Sequence, residues 1–329
     1  MTYTSGSLIL ATDYNGFVST NAGANVNDIW STGSGDKGYG ETAVSTVSTS
    51  ATITATQWAT LNNRISSMGS QTDTTITSRT NPTAGDTIGI LAALNTDLTN
   101  ITTNRGNAVA NGTQYVTWSG ASAKTTGTGS AGSAWTITFT HTITWASANA
   151  ARYFFNAGGR IKWETSKTST GLPGDAEWND LSTTLCGDIF ITGRVNSAAQ
   201  TISGNSYTGT TKSGGTGTPT TLATTTGWYQ LTTSDTTLYK QFADTAPYTA
   251  QYIQLDAKTA GSGTQLVLTT VWVDPGSGGI DTISGGSDTA SPFTSFGSAP
   301  ATVVTYFPPS STYLTSAAWG TPTIAASVA

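Results

Sequence analysis

Between Trp135 and Trp145 the chain alternates without a break: Trp135, Ile137, Phe139, His141, Ile143 and Trp145 are separated by Thr136, Thr138, Thr140, Thr142 and Thr144. Successive side chains on an extended backbone point to opposite sides, so this period of two puts the large groups on one face and the threonines on the other. At ~3.3 Å per residue the run spans roughly 36 Å, which is long for a strand. Such a strand needs a core along its whole length, and the middle of the chain must be a β domain. Arg152–Phe155, the loop Asn156-Ala157-Gly158-Gly159 and Arg160–Ser166 follow. In the last run Ile161, Trp163 and Thr165 face one way and Arg160, Lys162 and Glu164 the other. The short loop with its paired glycines predicts an antiparallel hairpin.

Strand signals continue downstream. Asp188–Val195, Gln200–Ser203, Trp228–Leu231, Thr237–Phe242, Thr249–Ala257, Thr264–Asp274 and Ala301–Phe307 read as strands. Trp228–Leu231 is expected to pair with Thr237–Phe242, and Lys258–Gly263 to close a hairpin. Leu266, Val267, Leu268, Val271, Trp272 and Val273 make their run apolar on both faces, as in a central strand. Pro308-Pro309 ends the last strand; beyond Ser310 there is no periodicity, but Tyr313, Leu314 and Trp319 predict that this tail docks. Strands and turns without intervening helices predict an antiparallel β-sandwich, specifically jelly-roll-like.

The first third has a helical period. Thr54-x-x-Gln57 has the form of a capping box, and Trp58, Leu61, Ile65 and Met68 follow on one stripe, with Gly69 as a stop. Asn81-Pro82 marks a turn, Asp86 or Thr87 offers an N-cap, and Leu91, Leu94, Leu98 and Ile101 repeat the spacing up to Asn104. Shorter helices are expected around Tyr14, Phe17 and Val18 and around Val26, Ile29 and Trp30. The two long stripes are either this chain's own core or an oligomerisation and attachment surface buried against copies around an axis. The fold class is therefore α+β: a helical region over residues 1–110 and a β-sandwich with an extended C-terminal tail over 111–329. Tyr115–Trp118 reads as a short strand and residues 120–132 as a Gly/Ser/Thr/Ala linker.

Composition narrows the function classes. Only 9% of residues are charged, against roughly 25% in ordinary soluble domains. A polar surface without charge lacks the repulsion that keeps monomers apart, and suits a chain that lives in an assembly; a secreted Thr-rich β protein is the other reading. The net charge is −5 and the thirteen basic residues are scattered, which argues against nucleic acid. No run of about eighteen apolar residues is present, so no membrane span is expected. The start lacks a basic and apolar leader, and no signal peptide is expected.

Chemistry-bearing groups are few. His141, the single histidine, lies on the apolar face of the long strand, and Cys186 has no second cysteine; neither can complete a triad or a zinc site. Gly171–Asp180 reads as a loop carrying Asp175, Glu177, Asp180 and Trp178. Paired acids beside an aromatic are what a glycosidase uses, but a polar loop anchored by Trp178 is the reading adopted. Gly278-Gly279-Ile280-Asp281 and Gly285-Gly286-Ser287-Asp288 depart from calcium-binding glycine–aspartate repeats and form no array. No catalytic residue, cofactor or metal is therefore expected. Among the ten Trp and twelve Tyr, Trp178, Trp228, Tyr248 and Trp319 fall in loops where rings can stack on sugars, although a core role is favoured for each one individually.

Four runs resemble virion-associated structural proteins of tailed bacteriophages, of tail or fibre type. They are Ala11–Phe17, Ile53–Arg64, Ala151–Arg160 and Val304–Ser310, of which Arg152-Tyr153-Phe154-Phe155-Asn156-Ala157-Gly158-Gly159 is the most specific. The resemblance implies a place, the virion, and no shared catalytic motif. It implies a non-enzymatic protein of tail, neck or fibre, a homotrimer bound to other virion proteins, with host-surface glycan as a further partner. A lectin-like receptor-binding module and a capsid decoration protein are the alternatives.

Overall fold

The computed structural model describes residues 9–20, 24–86, 88, 91–109, 118–123, 134–169, 173–195, 198–275, 282–283, 286–287 and 299–329. In chain order the elements are α1 (Ala11–Asn15), α2 (Val26–Ile29), α3 (Ala55–Gln71), α4 (Leu91–Asn104), β1 (Trp118–Ala123), β2 (Trp135–Thr144), α5 (Ala148–Asn156), β3 (Arg160–Ser166), α6 (Pro173–Asn179), β4 (Asp188–Ile191), β5 (Gln200–Ile202), β6 (Asn205–Tyr207), β7 (Thr210–Ser213), β8 (Thr221–Leu222), β9 (Thr236–Phe242), β10 (Tyr252–Ala260), β11 (Gln265–Asp274), β12 (Thr282–Ile283), β13 (Gly286–Ser287), β14 (Ala301–Phe307) and β15 (Thr323–Val328). Two large antiparallel sheets dominate, ordered β1-β14-β3-β4-β7 and β15-β2-β11-β10-β9-β8. The fold is α+β and sheet-rich, as expected.

The alternating run is one strand. Ile137, Phe139, His141 and Ile143 of β2 are buried while the threonines between them are half-buried. β2 pairs with β11 on one side and β15 on the other; the hairpin expected across Asn156–Gly159 does not form, because its first arm, Arg152–Phe155, is helical. Instead, the segment from Ala148 turns into α5: the Ser147 hydroxyl accepts from the Ala150 amide as an N-cap, and alanines follow where a strand would need β-branched residues. β3 finds its partners in β14 and β4. Trp228–Gln230 is a 3-10 turn, and β9 pairs with β10 and β8 instead. The hairpin β10–β11 forms, but with a tighter turn than the Lys258–Gly263 loop expected, since Lys258–Ala260 are paired in β10; β11 lies inside its sheet with one face buried. The tail contains a strand the sequence did not show: β15, whose Ala325, Ala326 and Ser327 carry no apolar alternation.

The capping box is present. Thr54 accepts from the Gln57 amide, and the Gln57 side chain accepts from the Thr54 amide at 2.8 Å. α3 runs through Gly69 to Gln71, so Gly69 does not stop it. A Cβ there would come within 2.9 Å of Ile76 Cγ2, so the glycine lets the following segment pass close to the helix. That segment is tied to α4 by Asp97, which accepts from the Thr77 amide and pairs with Arg79.

The two large sheets contribute to one buried core and meet at Trp163. Trp163 Nε1 of β3 donates to Thr270 Oγ1 of β11 at 2.8 Å, and its ring lies 5.8 Å from Tyr239 of β9. Tyr239 in turn donates to the Cys186 carbonyl at 3.1 Å. The helices share this core. The run Arg152–Gly159 is the joint: Arg152 donates to the Thr32 and Gly35 carbonyls at 2.7 and 3.2 Å, and Asn156 to Lys37 and Gly38 at 2.8 and 2.9 Å. Gln71 Nε2 donates to Ala157 at 3.2 Å. Buried Glu41 accepts from the Ser316 amide at 2.9 Å and from Thr315, fastening the early chain to the tail.

Candidate functional site

The stretch read as an acidic loop is helical. α6 starts at Pro173, a residue preorganised for a first helical position, and continues as a wide π-helical turn over Asp180–Leu185. Three residues apart on this path, Glu177 and Asp180 share a face. Trp178 points the other way and stacks on Trp272 at 5.6 Å and against Trp135 at 4.9 Å. The side chain of Asp175 lies outside the described residues. Its place is taken by Asp244, from the connection after β9: one oxygen from each of Glu177, Asp180 and Asp244 lies within 4.8 Å of the others.

These groups grade from the interior to solvent. Glu177 is 6% exposed, Asp180 is half-buried and Asp244 is exposed. A cleft of about 410 Å³ adjoins them, lined by Glu177, Asp180, Thr245, Pro247 and Tyr248 among others. Burial pushes the Glu177 carboxyl up, Thr245 hydrogen bonding offsets part of this, and the Asp180 and Asp244 charges push it further up. Glu177 Oε1 has no hydrogen-bond partner among the described residues. A glycosidase holds two carboxyls across a bond with room for a sugar or a water between them. Three carboxylate oxygens this close together are instead spaced like the oxygen ligands of a cation.

A second concavity, of about 510 Å³, lies along α3 and the segment after it. Ser66, Ser70, Thr74, Thr77 and Ser78 line it with hydroxyls, and Tyr313 sits at its side. Tyr313 is 37% exposed, one of two large apolar residues exposed among those described.

The four aromatics weighed for sugar stacking lie in or against the core, the role favoured for each one individually. Trp178, Tyr248 and Trp319 are buried. Trp228 is half-buried, stacked on Phe155 at 5.2 Å. All four rings pack in or against the core, because a ring that size is worth more there than in water. The predicted attachment stripe is also turned inward: Trp58, Leu61, Ile65, Met68, Leu94, Leu98 and Ile101 are all buried within this one chain. Of the stripe's eight residues, only the Leu91 side chain is not described. Asp281 lies outside the described residues.

His141 and Cys186 are fully buried. Burial holds the imidazole down at about 4, with the Thr302 carbonyl pulling slightly the other way, and neither ring nitrogen makes a well-formed hydrogen bond. Burial likewise pushes the Cys186 thiol up to about 12, where it is no nucleophile. No family model, curated protein or solved structure matches this chain.

Proposed function

We propose that this chain is a non-enzymatic structural protein of a bacteriophage particle, a jelly-roll-like β-sandwich that assembles with copies of itself. The observation that carries the reading is the outer face of the six-stranded sheet. By register, Ala325 and Ser327 of β15 lie beside Thr142 and Thr140 of β2, which lie beside Val267 and Thr269 of β11. Thr138 and Val271 extend the same face. Three adjacent strands thus present a surface of threonine, valine, alanine and serine without a charge, and its central residues are only half-buried in the single chain. Such a surface is suited to burial against a neighbour and lacks the charges that exposed sheets use to keep neighbours off. The helical stripes no longer support a trimer, so the outer sheet face takes over that role.

Light scattering on the purified protein at micromolar concentration is expected to give a multimer mass. Thr140→Glu combined with Val271→Lys is expected to reduce it to the monomer while leaving far-UV circular dichroism unchanged. A monomeric wild-type mass would sink the reading.

A lectin-like role draws on a different observation, the hydroxyl-lined groove beside exposed Tyr313. Ring stacking on a sugar contributes about 1 kcal/mol, so multiple copies would supply avidity. Tyr313→Ala should then weaken adsorption of the multimer to host cells severalfold. Unchanged adsorption would remove this role and leave the assembly role standing.

A further inference from the structure

We propose that Glu177, Asp180 and Asp244 form a divalent-cation site whose preferred occupant is calcium. This stands apart from the assembly reading, and departs from the sequence, which gave no metal ligand here.

The distances fit the ion. Calcium binds oxygens at roughly 2.3–2.6 Å, so ligands across it are separated by up to about 5 Å, whereas magnesium needs about 4 Å and near-ideal octahedral geometry. The three oxygens lie within 4.8 Å of one another, inside the ligand–ligand span of a calcium shell. They come from three kinds of backbone: a helix, a wide helical turn and a connection between strands. Calcium tolerates such irregular ligand sets.

Electrostatics give the second, independent argument. Glu177 is 6% exposed, and although Thr245 hydrogen bonds to the carboxylate, its Oε1 receives no hydrogen bond from the described residues. A buried carboxylate oxygen without a donor is costly unless a positive charge stands near it. No lysine or arginine among the described residues forms an ion pair with any of the three acids. Exposed Asp244 gives an entry path, and the adjoining cleft has room for the waters that complete a calcium shell. Bound there, the ion would fasten the α6 turn to the β9–β10 connection.

The test uses the full chain, stripped with a chelator. Terbium chloride should bind with a one-to-one endpoint and emit on excitation of tryptophan, since Trp178 is next to a ligand. Calcium should displace it at roughly 10⁻⁴–10⁻³ M, the range of open sites with few charged ligands, and equal magnesium should not. Calcium should also raise the thermal midpoint. Asp244→Asn, at an exposed position, should weaken calcium displacement roughly tenfold, and Asp180→Asn with Asp244→Asn should abolish both the emission and the thermal shift. Absence of saturable emission in the wild-type protein overturns the proposal. So does emission, or a calcium-dependent thermal shift, that survives the double substitution.

Discussion

Trp163→Ala is expected to cost about 3–5 kcal/mol of folding stability, the range for removing a large aromatic from a core. Trp163 is fully buried. It packs on Tyr239 across the interior and donates to Thr270 Oγ1 of the opposite sheet. The substitution opens a cavity where the two sheets meet and strands a buried hydroxyl, so the losses add. Trp163→Phe keeps most of the volume but removes the donor, and should cost about 1–3 kcal/mol. Urea titration separates the two: both variants should lower the midpoint at an unchanged slope, alanine by more. Equal midpoints for alanine and wild type would mean that the sheets are not held together here.

The second large effect is acid sensitivity through His141. Unfolded, an imidazole titrates near 6.5; folded, this one is held at about 4 by burial. Between those values the unfolded chain binds a proton that the folded chain does not. Stability is therefore fully present above 6.5 and is lost as pH falls toward 4, by about 3 kcal/mol in all and about 2 kcal/mol between pH 7 and pH 5. Glu177 and Asp188, whose carboxyls are pushed up by burial, act in the opposite sense. The difference between wild type and His141→Leu, measured by urea midpoint across pH, isolates the histidine. The leucine variant should lack the pH 7 to 5 loss. Parallel pH profiles would show that His141 is not buried as a neutral ring.

What could be read from the sequence follows from how local each signal is. The period of two in β2 and the box at Thr54 are complete within a few residues, and both elements form as read. α5 was hidden because Gly158-Gly159 looks like a hairpin turn, while the helix signals, Ser147 and the alanines after it, lie upstream of the glycines. β15 was hidden because an edge strand with one partner needs little apolar pattern. Glu177 and Asp180 were legible as a pair of acids. Asp244 was not, since only the folded β9–β10 connection brings it to them. Which of the four loop aromatics face the core is decided by packing, on which loop position in sequence has no bearing.

Both neighbours of β2 come late. Thr144 pairs with Gln265 on one side and Thr323 on the other. A ribosome that has finished Trp135–Thr144 has produced the most regular strand of the protein and none of the backbone that will satisfy it. Until β11 emerges, its apolar face and both edges are bare, a template for any other extended segment. Long-range pairing of this kind is slow, and chains caught before it completes are prone to aggregate. Nascent β2 is thus the segment where shielding during synthesis is expected to matter most.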